Sequence, residues 1–327
     1  MPPAAPPNPA RLGLIYGVAA YFTWGIVPAY FKLLSAVPPI QLLAHRVVWS
    51  VAFLVGLIHF RKLWPDVRAA FANRRTLLSL AASTLFIAVN WFAFIYAVAI
   101  GQILQTSLGY FITPLVTVLL GMIFLKERLR PLQIVSLLIA AGAVLYYALD
   151  QSQFPTIALT LAASFSLYGL VRKTTAAGPL VGLFVETALL FPLGVGAIVT
   201  HFIHPWSTSP AFPDVTRDQA IDAILRHTPL LLAAGVITAL PLLWFANAAR
   251  RLRLSTLGLL QYTAPTVSFL LAVFIFKEPY TRAQQIAFPL IWLALVLFSI
   301  DSIRAYRAQQ APSKQVPHPE EACLTDM

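Results

Sequence analysis

The chain has 327 residues, of which 59% are hydrophobic and 11% are charged, and its mean hydropathy is +0.76. A water-soluble domain of this length cannot bury so much apolar surface, so the composition excludes a soluble globular protein. It predicts an all-α membrane protein that crosses the bilayer several times. The single cysteine, Cys323, excludes an intramolecular disulfide and a CxxC redox pair.

In chain order, residues 1–10 are mostly proline and alanine, lack a signal-peptide pattern, and are expected to form a disordered lead. Ten apolar stretches long enough to cross a bilayer follow. They are 12–34, 39–59, 77–98, 102–125, 131–149, 155–175, 178–200, 229–249, 255–276 and 282–302. The longest link, 201–228, contains a segment, 217–227, that favours a short interfacial helix. Residues 303–327 are expected to form a mostly disordered cytoplasmic tail.

Part of the fourth span recurs in the ninth at a constant offset of 151 residues. The matched pairs include Pro114 with Pro265, Lys126 with Lys277, Glu127 with Glu278 and Gln133 with Gln284. The chain is therefore predicted to contain two copies of one five-helix unit, 11–150 and 151–302. Because five is an odd number, the second copy enters the membrane in the opposite orientation. Such inverted repeats are typical of transporters that hold their substrate near the midplane and open to each side in turn.

The distribution of lysine and arginine predicts the orientation. If the N-terminus is cytoplasmic, seventeen of these residues fall on the cytoplasmic side, five fall on the other side, and Arg46 lies inside a span. We therefore expect both termini in the cytoplasm. The net charge of +11 then reflects topology and contact with anionic lipid rather than nucleic-acid binding, because the basic residues lie in short, separated loops.

Sequence motifs for chemistry are missing. The chain has no GxxxxGK[ST] phosphate loop, which excludes an ATP-driven pump, and no HExxH or GxSxG motif. Its six histidines are scattered. We therefore expect no enzymatic activity, no cofactor and no metal site. A channel, a receptor and an intramembrane enzyme remain alternatives to a carrier, and the oligomeric state is open.

Five segments carry a family resemblance when taken together. They are AAYFTWGIVPAYFK (19–32), AHRVVWS (44–50), SLGYFITP (107–114), YGLVRK (168–173) and RLRLSTLG (251–258). In this combination the chain resembles the RarD proteins of the EamA group, in the drug/metabolite transporter superfamily, from about Leu12 to about Ser302. The resemblance implies ten helices, an inner-membrane location and export of small molecules, and chloramphenicol is associated with the family name. The superfamily often has glycine where this chain has Lys126 and Lys277.

Three ionisable residues lie within the predicted spans. They are His45, Arg46 and Glu186, and such groups are costly in a bilayer unless they have a role. Counted from the span ends, His45 and Arg46 lie roughly 9 to 10 Å from the outer face and Glu186 roughly 12 Å from the inner face. An offset of 141 places Glu186 opposite His45 in the repeat.

Our hypothesis is that Arg46 and Glu186 flank a central cavity, in which Glu186 is the protonatable group or the partner of a substrate amine. The alternative is an ion pair between Arg46 and Glu186 that only holds helices together. For His45, the alternative is a neutral ring bonded to a backbone carbonyl.

Prolines inside three spans predict further features of the cavity. Pro28, Pro114 and Pro265 each free the carbonyl four residues earlier, so we expect the fourth and ninth helices to bend and face the cavity. The polar and aromatic residues predicted to line it are Trp24, Asn90, Gln105, Tyr110, Gln261 and Tyr262. Packing kinks, aromatic packing and hydrogen bonds between helices are the alternatives. The prediction is a secondary active exporter of small organic solutes; proton coupling and facilitative exchange both stay open.

Overall fold

The computed structural model describes residues 9–100, 103–149, 155–203, 217–277 and 281–310, and this part of the chain is helical without strands. The helices are α1 (Pro9–Leu33), α2 (Pro39–Phe60), α3 (Trp64–Ala72), α4 (Arg74–Ala99), α5 (Ile103–Phe124), α6 (Pro131–Leu149), α7 (Thr156–Thr174), α8 (Pro179–Ile203), α9 (Arg217–Arg226), α10 (Thr228–Arg251), α11 (Leu254–Leu260), α12 (Thr263–Leu270) and α13 (Arg282–Gln310). A π-helical turn, Leu271–Ile275, follows α12.

The all-α membrane fold is confirmed. Within the described ranges, nine helical segments are long and apolar enough to cross a membrane, and α11, α12 and the π-helical turn together form one of them. The predicted sixth span is α7, which has 19 residues but is less apolar because it carries Ser164, Ser166 and Arg172. These side chains are buried against other helices. The last helix continues to Gln310, beyond the predicted span end at 302.

The two ends of the bundle can be identified from contacts between helices. At one end, α1 approaches α10 near Gly13, and Arg130 contacts Asp301 of α13. We call this end the terminal face, because α1 begins there and α13 leaves the bundle there. At the other end, which we call the opposite face, the hydroxyl of Tyr30 donates a hydrogen bond to the carbonyl of Leu230.

Helix pairing follows a regular scheme. Helix α7 packs between α4 and α5, and α1 packs between α10 and the α11–α12 segment. The remaining major pairs are α2 with α8, α6 with α13, α2 with α10, and α5 with α11. Glycine allows one of the closest approaches, since a Cβ on Gly235 of α10 would lie 2.3 Å from the carbonyl carbon of Trp49 on α2.

The turns that close α5 and the ninth predicted span have the same backbone conformation. Lys126 has a φ of 53° and Lys277 a φ of 56°, in the left-handed region that favours glycine. The next helix starts alike in both places, because the side chains of Gln133 and Gln284 accept a hydrogen bond from a backbone N–H three residues earlier, at 3.0 and 2.9 Å. The lysines thus adopt the turn for which the superfamily often uses glycine.

The helix is interrupted near only one of the two matched prolines, and the bends expected at both stay a prediction. Helix α11 ends before Gln261, and α12 begins two residues later. Pro265 has no N–H for the carbonyl of Gln261, which accepts instead from the N–H of Ala264 at 3.1 Å. Helix α5, in contrast, is continuous through Pro114. Pro28 likewise lies inside the continuous helix α1.

Candidate functional site

A buried carboxylate, Glu186, lies between three helices. Its side chain accepts a hydrogen bond from Ser83 Oγ of α4 at 2.5 Å and from the hydroxyl of Tyr168 on α7 at 3.3 Å. The Nη1 atom of Arg172, also on α7, lies 3.5 Å from Oε1 of Glu186. All four residues are 0 to 1% exposed, and we call them the Glu186 cluster.

Helix periodicity and one glycine position Arg172. Tyr168 and Arg172 are four residues apart and therefore share a face of α7. The guanidinium lies against Gly182 of α8, where a Cβ would be only 2.0 Å from Nη1. Its Nη2 atom donates to the carbonyl of Pro179 at 3.0 Å. Arg172 is one of the seventeen basic residues predicted on the cytoplasmic side, and in the structure its side chain turns into the bundle and is 1% exposed.

The second intramembrane charge, Arg46, has different surroundings. Its Nε donates to Oγ1 of Thr238 on α10 at 2.9 Å. Its guanidinium carbon lies 5.0 Å from the ring centre of Phe31 and 5.4 Å from that of Trp91. The phenol of Tyr110 on α5 is within electrostatic range and is 50% exposed. We call these five residues the Arg46 site.

Arg46 and Glu186 do not form an ion pair in the structure, since each has the other partners just described. Arg46 stands seven residues after Pro39, where α2 begins at the opposite face. Glu186 stands seven residues after Pro179, where α8 begins at the terminal face. At 1.5 Å per residue, each charge is roughly 10 Å from its own face. Counted from the helix starts, Glu186 is therefore the counterpart of Arg46. The sequence offset of 141 had matched Glu186 with the neighbouring residue, His45.

His45 has an indole partner. Its Nδ1 accepts a hydrogen bond from Nε1 of Trp49, one turn further along α2, at 3.2 Å. An accepting Nδ1 carries no proton, so Trp49 helps to orient the ring. The backbone carbonyl partner offered as an alternative stays a prediction.

A polar network occupies the helix break. Gln261 accepts from Oγ1 of Thr117 on α5 at 3.0 Å, and Thr117 is 2.9 Å from Oγ of Ser166 on α7. The hydroxyl of the neighbouring Tyr262 donates to the carbonyl of Phe111 at 3.2 Å. The two predicted lining residues Gln261 and Tyr262 are therefore buried between helices in this structure.

The remaining residues predicted to line a cavity either make contacts between helices or lie outside the part of the chain that the structure describes. Asn90 donates to the carbonyl of Leu161 at 3.0 Å and to Ser164 Oγ at 3.2 Å, which joins α4 to α7. Trp24 packs against Phe165, with ring centres 5.6 Å apart. The side chain of Gln105 lies outside the described residues.

Sequence reasoning missed several members of these sites, including Phe31 of the Arg46 site. Ser83, Tyr168, Arg172 and Thr238 were not among the predicted site residues. Tyr168 and Arg172 belong to the segment YGLVRK, which carried part of the family resemblance, and their spacing of four gave a usable signal. Ser83 and Thr238 are common residues in membrane helices, and nothing in their local sequence distinguishes them.

The donor sets do not resemble a metal or cofactor centre. In the ranges that the structure describes, no group of three or more His, Cys, Asp or Glu side chains is placed to hold a metal ion. The sites instead combine single buried charges with hydroxyl groups and aromatic rings. Buried charges between membrane helices are typical of proteins that move solutes or ions.

Comparison with known proteins identifies the family. The model of the EamA-like transporter family matches residues 11–149. Protein RarD of Salmonella typhi is 43% identical over 297 residues, 91% of this chain and 97% of that protein. The uncharacterized transporter YojE of Bacillus subtilis is 39% identical over 305 residues, 92% of this chain and 98% of that protein. The chloramphenicol-sensitive protein RarD of Pseudomonas aeruginosa is 31% identical over 303 residues, 91% of this chain and 96% of that protein.

A crystal structure of another protein aligns with 88% of this chain and 97% of its own, with a TM-score of 0.65 at 20% sequence identity, so the fold is shared. The chain belongs to the RarD proteins of the EamA-like transporter family, in the drug/metabolite transporter superfamily. It is a multi-pass membrane transporter, and the prediction that it is not an enzyme is confirmed by the names of its relatives.

Proposed function

We propose that this chain is a secondary carrier of the cytoplasmic membrane that exports small organic solutes by alternating access. Its ten spans form two inverted five-helix repeats, 11–150 and 151–302, with both termini in the cytoplasm. The observation that carries the proposal is the placement of Arg46 and Glu186, two charges at equal depth from opposite faces of the bundle. Charged side chains are costly inside a bilayer, and those that occur there commonly serve transport.

The helix pairs support the inverted repeat. In the two repeats, α1 corresponds to α7, α4 to α10, and α5 to the α11–α12 segment. Exchanging these counterparts converts the α1–α10 pair into the α7–α4 pair, and the α5–α7 pair into the pairing of α11–α12 with α1. Tyr262 also hydrogen-bonds to Phe111, which is its own counterpart at the offset of 151. A contact between equivalent residues is expected where a twofold axis passes between α5 and the broken helix.

In this proposal α7, the predicted sixth span, is the helix that raises the count of spans from nine to ten. Its 19 residues equal the length of α6, and it packs between α4 and α5. Its low apolarity follows from its central position, because a helix surrounded by other helices can carry polar groups that face them. The excess of basic residues at the terminal face supports a cytoplasmic position for that face.

Polar contacts close the terminal face. Glu127, after α5, accepts hydrogen bonds from the backbone N–H groups of Leu254 at 2.6 Å and Ser255 at 2.9 Å, at the start of α11. Lys173 donates to the carbonyl of Leu252. Near the opposite face, Tyr110 is half exposed beside Arg46. These contacts support a state that is closed to the cytoplasm, with the Arg46 site accessible from outside.

Proton coupling is assigned in this proposal to the Glu186 cluster. Protonation of Glu186 would remove its attraction for Arg172 and so loosen the contact of α8 with α7. The second candidate is a facilitative exchanger without proton coupling, in which the ion pair only joins helices. The specific observation that favours it is the full set of partners around Glu186, since three groups already stabilise the ionised carboxylate.

Drug accumulation in cells tests export and coupling together. Because one relative bears the name chloramphenicol-sensitive protein, labelled chloramphenicol is a suitable first solute. Cells expressing wild type, Glu186→Gln, the exposed control Asp222→Asn, or empty vector at equal levels are compared with and without a protonophore. We expect lower accumulation with wild type and Asp222→Asn only, and loss of the difference with protonophore. Export that persists with protonophore or in Glu186→Gln would contradict proton coupling and favour the facilitative exchanger.

A further inference from the structure

The Arg46 site contains a cation that has no acidic partner among the described residues. In the part of the chain that the structure describes, no carboxylate forms an ion pair with Arg46, whereas the equivalently placed Glu186 has Arg172. An arginine inside a membrane protein is normally paired or hydrated. A bound solute with a negative charge could serve as the partner of Arg46. The two repeats would then differ, because Arg172 neutralises Glu186 and a solute neutralises Arg46.

The geometry of the guanidinium limits the kind of countercharge. Its one hydrogen bond to a described residue uses Nε, which leaves the Nη1 and Nη2 groups as a pair of parallel donors. Such a planar pair matches the two oxygens of a carboxylate. One positive charge among apolar rings suits a monoanion better than a phosphate dianion, since burying a second uncompensated negative charge is costly.

The neighbours of Arg46 describe the rest of the ligand. Phe31 and Trp91 present their rings to the guanidinium at 5.0 and 5.4 Å. Tyr110 is half exposed, so part of its ring is not covered by other residues of the protein. An apolar or aromatic group next to the carboxylate would pack on these rings.

We propose that Arg46 binds the carboxylate of a transported solute, so that organic monocarboxylates or zwitterions with an apolar body form a substrate class of the carrier. This inference rests on the proposed carrier function and assigns a substrate class to the Arg46 site. Arg46 supplies the bidentate donors, Thr238 orients the guanidinium through Nε, and the aromatic rings receive the apolar body.

Matched pairs of acids and amides test the inference by binding alone. Purified protein in detergent is titrated with acetate and acetamide, phenylacetate and phenylacetamide, and phenylalanine and its amide, with Tm and tryptophan fluorescence as readouts. For at least one pair we expect the acid to bind about tenfold more tightly than its amide. Arg46→Gln should weaken the acid about tenfold and leave the amide unchanged, and Arg46→Lys should restore only part of the loss.

The matched control is Arg226→Gln, the same substitution at an exposed arginine of the opposite face, and it should bind like wild type. Equal binding of acid and amide, equal binding by wild type and Arg46→Gln, or no binding of any of the three acids would overturn the inference. Tighter binding of inorganic phosphate than of every acid would also overturn it. A merely structural role for Arg46 would lower the Tm of the free protein without changing the preference for acid over amide.

The same samples distinguish failure of the inference from failure of the proposed function. Proteoliposomes preloaded with an unlabelled solute are supplied with the labelled form, and counterflow is recorded. Binding of an acid without counterflow would contradict the carrier function and leave the carboxylate site standing. Counterflow of neutral solutes alone, unaffected by Arg46→Gln, would contradict the carboxylate site and leave the carrier function standing.

Discussion

Arg46 and Glu186 each stand seven residues after the proline that begins their helix, but among the described residues only Glu186 has a partner of opposite charge. The partner, Arg172, comes from α7, which packs along α4 and α5 in the middle of the bundle. The corresponding surroundings of Arg46 are a hydroxyl and aromatic rings. One half of the bundle thus neutralises its charge internally, and we propose that the other half presents its charge to a solute.

The first prediction concerns the space that Gly182 leaves for Arg172. A Cβ at position 182 would lie 2.0 Å from Nη1, so Gly182→Ala should push the guanidinium away from Glu186. Disrupting a buried ion pair costs about 3–5 kcal/mol, and we expect a loss of stability of that order, measured as Tm in detergent. Gly196→Ala on the same helix is the control, because nothing lies within 4 Å of its added Cβ. Equal Tm values for the two variants would contradict the packing described.

The second prediction is that the losses at Arg172 and Glu186 are not additive. Arg172→Gln and Glu186→Gln each leave one buried group without its partner, whereas the double variant removes both charges. We expect the double variant to be more stable than the sum of the single losses by about 1–3 kcal/mol, in a double-mutant cycle of unfolding free energies. Additive losses would show that the ion pair contributes nothing to the folded bundle.

The third prediction concerns the two strained turns. A residue with a side chain costs about 1–2 kcal/mol in the left-handed region, so Lys126→Gly and Lys277→Gly should each raise stability by about 0.5–1 kcal/mol once the added freedom of the unfolded chain is subtracted. Lys126→Ala is the control, since it removes the lysine side chain and keeps the strain. If alanine stabilised the protein as much as glycine, the backbone explanation would be wrong.

The fourth prediction is that Glu127 keeps the terminal face closed. Its carboxylate accepts two backbone N–H groups at the start of α11, and an anion is favoured at that end of a helix. Glu127→Ala should therefore populate states that are open at this face. Ser255 is 1% exposed, so a Ser255→Cys reporter in a Cys323→Ser background should react faster with a water-soluble maleimide when Glu127 is replaced.

The control for this experiment is Asp66→Asn, which removes an exposed acid at the same end of the bundle and should leave the labelling rate unchanged. A rate that does not respond to Glu127→Ala would show that other contacts close the face.

Much of the fold follows from local sequence features. Helices α2, α6 and α8 begin at or next to Pro39, Pro131 and Pro179, because proline suits the first helical turn. Span positions follow from runs of apolar residues of bilayer length. The break of the ninth predicted span at Gln261 follows from Pro265. The matched residue Pro114 lies in α5, which has no such break.

The site was predicted less completely, because partners depend on how helices pack. Glu186 and Arg46 were found from their cost in a bilayer, a property of each residue alone. The partner of Glu186 was not found, because Arg172 lies near a helix end and turns inward only where Gly182 of another helix leaves space. The count of ten spans depended on α7, whose polar residues are explained by neighbours that the sequence does not reveal.

Solute counterflow in proteoliposomes tests the carrier account most directly. Vesicles containing wild type, Arg46→Gln or Arg226→Gln, and empty vesicles, are preloaded with unlabelled chloramphenicol, phenylacetate or phenylalanine and supplied with a trace of the labelled solute. The account predicts transient accumulation of at least one label above its equilibrium level with wild type and Arg226→Gln. It predicts no overshoot of phenylacetate or phenylalanine with Arg46→Gln, and no overshoot of any solute with empty vesicles. Equilibration without overshoot would indicate a channel, and flux no different from that of empty vesicles for all three solutes would contradict the carrier account.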